Sequence, residues 1–307
     1  MQDKIKQLLL QIQNGNFRAL ARGITLVEND LPGYYDLLQS LYDTQKSKVL
    51  GITGPPGAGK STLVNALLHH WIKEGKKIAV IAVDPSSPFN YGALLGDRIR
   101  MSDFYNNDNV FIRSLATRGA LGGLHPKIIE ISDLIKNAPF DIILVETVGV
   151  GQSEVEIAGL ADCTIVTLVP EAGDTVQTMK AGIMEIADIF VVNKADRDMS
   201  EALYRNLRIL VHEKAGKSDE IPVIKTIATE QKGVEELAKS IEQFLEKQNA
   251  IPDKRLHLLT EKGWHLIQEQ KMKNMDRKKI RGELQMAMKQ PDFNLYVFIK
   301  NYLINHI

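Results

Sequence analysis

The sequence predicts an α/β protein built on a mainly parallel sheet. Three observations carry this reading. Seven short apolar runs recur between residues 47 and 250, helical stretches separate most of them, and a glycine-rich loop joins the first run to the helix behind it. Nearly continuous apolar runs are what strands covered on both faces show. Strand–helix alternation is the pattern of a parallel sheet with helical crossovers.

The elements follow in order. Residues 1–46 predict a helical extension: "KIKQLLLQIQ" and "YYDLLQSLYDTQ" place apolar residues at helical spacing, separated by the breakers "NGN" and "LPGYY". The predicted strands of residues 47–250 are "KVLGIT", "KIAVIAVD", "VFIRSLA", "DIILVET", "CTIVTLV", "IFVVNKA" and "PVIKTIA". Residues 251–307 carry no strand signal, and "RLHLLTEKGWHLIQEQ", "RKKIRGELQMAMKQ" and "FNLYVFIKNYLINHI" predict helices. Three regions are therefore expected, 1–46, 47–250 and 251–307, without internal repeats.

Composition narrows the function classes. Lys+Arg and Asp+Glu are both 38, so the formal net charge is zero, and a nucleic-acid binder with its usual basic excess is not expected. The single cysteine, Cys163, excludes an internal disulfide and fits a reducing compartment; its setting "DCTIVTLV" reads as a packed core thiol. The N-terminal stretch has no signal-peptide core, and no segment is long and apolar enough to span a bilayer, so a cytoplasmic or matrix-like location away from membranes is expected. The basic stretch 271–283 reads as a solvated helical face.

Gly54, Pro55, Pro56, Gly57, Ala58, Gly59, Lys60 and Ser61 spell G-x-x-x-x-G-K-S between a predicted strand and a predicted helix that continues with Thr62. This is the phosphate-loop pattern, and it predicts a P-loop NTPase domain. Glycines let backbone N–H groups turn toward phosphates, and the helix adds its positive end. Lys60 is expected on the β- and γ-phosphates and Ser61 on Mg²⁺.

The base is read from Asn193, Lys194 and Asp196 in "NKAD", after the apolar run "IFVV". A carboxylate at this strand end accepts hydrogen bonds from guanine N1–H and the 2-amino group; adenine offers neither donor there. Thr226, Ile227 and Ala228, after the next strand, form a candidate second base-contacting loop.

The groups expected to handle the cation and the chemistry are acidic. Glu146 ends a predicted strand and leads into "ETVG", where Gly149 can sense a γ-phosphate. Asp84 ends another strand facing the same crevice, and Asp97 lies in the loop beyond it. Lys60, Asp84, Glu146 and Gly149 are the candidate catalytic set; Ser61, Asp84, Asp97 and Glu146 are the candidate magnesium ligands. Glycine-rich "ATRGALGGL" carries Arg118, either near the site or simply in a loop. Val150 stands where many GTPases have a water-orienting glutamine, and Gln152 is the nearest polar residue, so intrinsic hydrolysis is expected to be slow and raised by a partner.

Taken together, "GITGPPGAGKST", "VAVDPSSP", "GDRIRM", "TRGALGGL", "ETVGVGQSE" and "NKAD" resemble the MeaB/ArgK family of SIMIBI-class GTPases, which includes the methylmalonic aciduria type A protein. The resemblance spans roughly residues 48–240. It implies a GTP- and Mg²⁺-dependent chaperone that gates cofactor delivery to, and protects, an adenosylcobalamin-dependent acyl-CoA mutase, usually methylmalonyl-CoA mutase. It also implies a C-terminal helical dimerisation arm and hence a homodimer. Residues 169–180, "VPEAGDTVQTMK", match the segment that signals nucleotide state to the mutase, with Asp174, Gln177 and Lys180 as coupling side chains; otherwise Asp174 caps a plain helix start. Glu171 departs from the family's pattern in that segment.

Three other readings compete. A nucleotide-dependent kinase of an amino-acid transport component is opposed by "NKAD". A metallochaperone GTPase would be expected to carry His- or Cys-rich tracts, whereas His69 and His70 read as structural. A non-hydrolysing nucleotide-binding scaffold would lack turnover.

Overall fold

The computed structural model describes residues 2–42, 47–84, 101–118, 124–149, 154–172, 185–215, 221–247, 253–271, 277–290 and 293–306. Chain contacts divide it into two units, Met1–Arg255 and Leu256–Ile307.

The first unit opens with helices α1 (Gln2–Gln13), α2 (Phe17–Glu28) and α3 (Tyr34–Gln39). Asn16 starts α2 by accepting the Ala19 N–H at 2.9 Å. The third helix is shorter than its apolar spacing predicts: it stops at Gln39, and Ser40 donates its hydroxyl to the Asp36 carbonyl at 2.7 Å. Strands β1 (Lys48–Thr53), β2 (Ile78–Asp84), β3 (Val110–Ala116), β4 (Ile142–Glu146), β5 (Cys163–Leu168), β6 (Ile189–Asn193) and β7 (Val223–Thr226) coincide with the seven predicted runs. Between them lie α4 (Lys60–Lys73), α5 (Ile128–Lys136), α6 (Glu154–Leu160) and α7 (Ser200–Ala215), with α8 (Val234–Lys247) and α9 (Asp253–Lys271) following β7.

All strand pairs are parallel, in the order β3-β2-β4-β1-β5-β6-β7. This is the mainly parallel, helix-flanked sheet that the alternation predicts. Alternate residues such as Leu50, Ile52, Leu144, Ile165 and Val191 join Trp71 of α4 and Leu237 of α8 in one buried cluster. Val166, Phe190 and Val192 pack on the other face with Leu203, Leu207 and Val211 of α7. Double coverage explains why the strands read as unbroken apolar runs. Cys163 is buried in the first cluster, and burial raises its thiol pKa, as a core thiol requires.

The N-terminal helices are part of this unit. Phe17 lies between Phe111 of β3 and Phe140, with ring centroids 5.5 and 5.8 Å away. Glu28 takes Arg113 of β3 at 2.5 Å, and Lys127 lies 3.0 Å from Asp30 and over the Tyr34 ring. At the N-terminal edge of the sheet, Asp162 accepts the Val49 N–H on one oxygen and Arg255 on the other. His69 packs against Phe104 and His70 pairs with Glu74, so both serve α4 packing.

The second unit holds the rest of α9, α10 (Arg277–Ala287) and α11 (Leu295–His306). Phe298 and Tyr302, at i and i+4 of α11, pack with ring centroids 5.9 Å apart.

His125 is a further buried element. Its Nδ1 accepts the Lys127 N–H at 3.0 Å just ahead of α5. Burial lowers its pKa to about 4, against a partial lift from Glu28 and with Arg118, Lys127 and Arg113 lowering it further. An unfolded histidine titrates near 6.5, so between about 6.5 and 4 the unfolded chain binds the extra proton more tightly. Stability conferred by neutral His125 is therefore complete above that window and lost as pH falls through it. In His125→Asn, the drop in urea midpoint between pH 7.5 and pH 5 should be smaller than in the native chain; an unchanged drop would remove His125 as its source.

Candidate functional site

The site is built on the C-terminal edge of the sheet, where a parallel sheet gathers all its strand ends. β1 ends at Thr53, and the phosphate loop turns into α4 at Lys60. Gly54 has φ +141°, and a Cβ there would meet the Thr167 carbonyl at 2.0 Å, so any side chain is excluded by β5 backbone. Pro55 and Ala58 are buried, whereas Pro56 and Gly57 face solvent. Gly59, the residue before α4, is left-handed, and Thr62 lies half-buried in the first helical turn.

Lys60 is 6% exposed, and its Nζ donates to the carbonyls of Gly54 at 2.9 Å and Pro55 at 3.2 Å. Its charge is thus held inside the loop it follows. Ser61 donates its hydroxyl to Glu146 Oε1 at 2.7 Å, joining the start of α4 to the end of β4. The register makes this possible: Ile52 of β1 stands opposite Glu146 of β4. Behind this pair, Thr53 and Thr147 share a hydrogen bond of 2.9 Å. Gly149 has φ +86°, and a Cβ there would meet Gly54 O and Lys60 Nζ, each at 2.5 Å. Gly149 therefore lies directly against the phosphate loop. Asp84 closes β2 and is 4% exposed, and its carbonyl accepts the Thr117 N–H at 3.1 Å.

The Asn-Lys-x-Asp segment is tied to the same loop. Asn193 closes β6, donates Nδ2 to the Ala58 carbonyl at 3.0 Å, and accepts Thr226 Oγ1 at 3.1 Å and the Ala228 N–H at 3.3 Å. Lys194, left-handed at φ +56°, donates Nζ to the Gly57 carbonyl at 2.8 Å. Ile227 donates its N–H to the Lys232 carbonyl at 3.1 Å and closes the turn after β7. Asp196 is exposed.

The structure thus brings the phosphate loop, Glu146, Gly149, Asn193, Lys194, Thr226 and Ala228 into one connected set, with Asp84 at the adjoining strand end. Asp97, Asp174, Gln177 and Lys180 lie outside the described residues, as do Val150 and Gln152. Glu171, which departs from the family's pattern, pairs with Arg197 just beyond the base motif, and this bond to Arg197 lowers its pKa. That pairing and the two bonds from Asn193 and Lys194 to the phosphate loop join residues far apart in sequence, and no local pattern announces them. Among the described residues no group of three His, Cys, Asp or Glu side chains could hold a metal alone. A hydroxyl and carboxylates are hard oxygen donors, suited to an ion that takes its remaining ligands from phosphate and water.

Chemically, the arrangement can offer a glycine-rich loop and a buried lysine to a polyphosphate, a serine–carboxylate pair to a cation, and the exposed Asp196 as a hydrogen-bond acceptor. Comparison with known proteins agrees. Residues 20–279 match the family profile described as Methylmalonyl Co-A mutase-associated GTPase MeaB. A protein of Pyrococcus abyssi named as a GTPase is 43% identical over 94% of this chain and 89% of its own. The GTPase ArgK of Escherichia coli is 39% identical over 78% of this chain and 76% of its own. The crystal structure of a LAO/AO transport system kinase superposes with a TM-score of 0.69 at 27% identity, covering 97% of this chain and 96% of the other. With a family match spanning most of its length and a phosphate loop, serine–glutamate pair and Asn-Lys-x-Asp motif in one connected site, the chain belongs to the MeaB family of GTPases.

Proposed function

We propose that this GTPase gates cofactor delivery to, and protects, an adenosylcobalamin-dependent acyl-CoA mutase, with methylmalonyl-CoA mutase as the partner its family description names. The reading also draws on a Caenorhabditis elegans relative, a mitochondrial methylmalonic aciduria type A homolog 37% identical over 64% of this chain. The observation that carries the switch is the contact of Gly149 with Gly54 and Lys60. A γ-phosphate in the loop is a charged acceptor that outcompetes the neutral carbonyls now holding Lys60. Its arrival therefore redirects Lys60 and repositions Gly149, and with it the segment that Glu146 and Thr147 lead into. The nucleotide's last phosphate is so converted into a change at the surface.

Within this reading, backbone N–H groups of the loop and the α4 N-terminus bind the phosphates, and Lys60 neutralises them. Ser61 and Glu146 would hold Mg²⁺, directly or through water, with Asp84 and Asp97 as outer ligands; the ion would neutralise charge between the β- and γ-phosphates. Glu146 and Asp84 orient water in the absence of a glutamine at Val150. Asp196 accepts from guanine, with Thr226, Ile227 and Ala228 closing over the base. No helix among the described residues is long and apolar enough to cross a membrane. A cytoplasmic location is part of the same proposal.

The homodimer belongs to the same proposal. On α9, Leu256 and Leu259 with Trp264 and Ile267 fall on one side of the helix by the 3.6-residue repeat, and each is exposed. Tyr296 of α11 is 81% exposed. A second copy would cover such surface. Light scattering at micromolar concentration should return twice the chain mass of 34.3 kDa, whereas a monomer would refute it.

Nucleotide choice tests the base reading. The chain should bind GTP and GDP but not ATP, and Asp196→Ala should weaken GDP by at least about 1–3 kcal/mol. Equal affinity for ATP and GTP, by calorimetry, would sink it.

Coupling is tested with the mutase present. Basal turnover should stay below about 1 s⁻¹ and rise on mutase addition. Asp174→Ala, Gln177→Ala or Lys180→Ala should blunt that rise while leaving GDP affinity nearly unchanged. Full stimulation with all three alanines combined would make the segment merely structural.

A further inference from the structure

Arg118 is the second residue beyond β3, on the same sheet edge as the phosphate loop. Its neighbour Thr117 bonds the Asp84 carbonyl. Its backbone is left-handed, at φ +48°. A non-glycine residue holds that conformation only where its surroundings over-determine it, and such outliers gather at switches and catalytic sites. Here the surroundings are the end of α2. The guanidinium donates to the Glu28 carbonyl at 3.0 Å, to Glu28 Oε1 at 3.1 Å and to Asn29 Oδ1 at 2.9 Å. Glu28 is itself fixed from the other side, because Arg113 donates to its second oxygen at 2.5 Å and to Thr25 Oγ1 at 3.4 Å. A helix C-terminus, with its partial negative charge and a carboxylate, is a strong resting place for a guanidinium.

We infer that Arg118 is a catalytic arginine for GTP hydrolysis that Glu28 and Asn29 of the N-terminal helices withhold. In the reaction, a water oxygen bonds to the γ-phosphorus as the bond to the β–γ bridging oxygen breaks. The water proton leaves with the released phosphate or passes to solvent, and negative charge collects on the bridging oxygen. A guanidinium there supplies the stabilisation that arginine fingers supply. Among the described residues, Arg118 and Arg197 are the arginines that directly follow a strand on this edge, and Arg197 is engaged with Glu171 beside the Asn-Lys-x-Asp segment. β3 is three strands from β1, about 14 Å at the usual strand spacing. Arg118 cannot reach the phosphates while it holds α2. Letting go costs three charge-assisted hydrogen bonds, which is what holds the arginine back; leaving the left-handed backbone would offset only part of that cost. A partner that draws α2 away from β3 would release the arginine.

This inference rests on the GTPase activity of the family and not on the identity of the mutase. The test is single-turnover GTP hydrolysis by the full-length chain without any partner. Glu28→Ala should raise the rate on the order of tenfold or more, a fraction of what a fully placed arginine gives. Adding Arg118→Ala to it should cancel the gain. Asn29→Ala removes one of the three bonds, leaves the Glu28–Arg113 pair intact, and should raise the rate by less; it carries the test if Glu28→Ala unfolds. GDP affinity and thermal unfolding, measured alongside, show that each variant is folded and loaded. No gain in folded, nucleotide-binding variants overturns the inference, as does a gain that persists without Arg118. Absence of any GTP turnover by the native chain would instead count against its hydrolytic activity.

Discussion

Parallel strands can be joined only by crossovers, and that constraint organises this molecule. Every crossover returns the chain to the same side, so the C-terminal ends of β1, β2, β4 and β6 deliver the phosphate loop, Asp84, Glu146 and Asn193 to one edge. The register then does what proximity alone does not. Because side chains alternate, a slip of one residue between β1 and β4 would turn Glu146 to the opposite face and strand Ser61. Glu146 is 3% exposed, and a buried carboxylate needs its hydrogen bonds. The Ser61–Glu146 contact is therefore both a part of the site and a condition on how the sheet closes.

A second consequence is that the phosphate loop and the Asn-Lys-x-Asp segment are not independent modules. Asn193 and Lys194 reach from the end of β6 to the carbonyls of Ala58 and Gly57, while Thr226 and Ala228 hold Asn193 from behind. The loop that would read guanine and the loop that would hold phosphate share a frame. A base that fits poorly at one end strains contacts at the other, and discrimination can exceed what the base contacts alone provide.

How much of this was legible in the sequence follows from the range of the interactions. All seven strands were, because burial on both faces leaves an apolar run that needs no partner to be recognised. The phosphate loop and the Asn-Lys-x-Asp motif were, because each is a short chain segment whose chemistry is local. The third helix was overextended, since apolar spacing continues past Gln39 while the Ser40 hydroxyl turns back on the Asp36 carbonyl. What could not be read were pairings between distant segments: Lys194 with Gly57, Glu171 with Arg197, and both arginines with Glu28. For Arg118 the glycine-rich pattern leaves open a place near the site or a plain loop. Its left-handed backbone and its partners depend on where α2 packs, and α2 lies some ninety positions earlier.

That separation has a consequence for how the chain is made. Glu28 and Arg113 are 85 residues apart, and Phe17 waits for Phe111 and then Phe140. At translation speeds of about 5–20 residues per second, α2 leaves the ribosome roughly 4–17 s before its strand partner. Throughout that interval Leu20, Ile24 and Val27, buried in the finished fold, have only the neighbouring helices to cover them. The N-terminal helices are thus the first part of the protein to be synthesised, yet they are secured only once the chain has grown to Phe140, which makes the early nascent chain, rather than the finished one, the form most in need of protection from its neighbours.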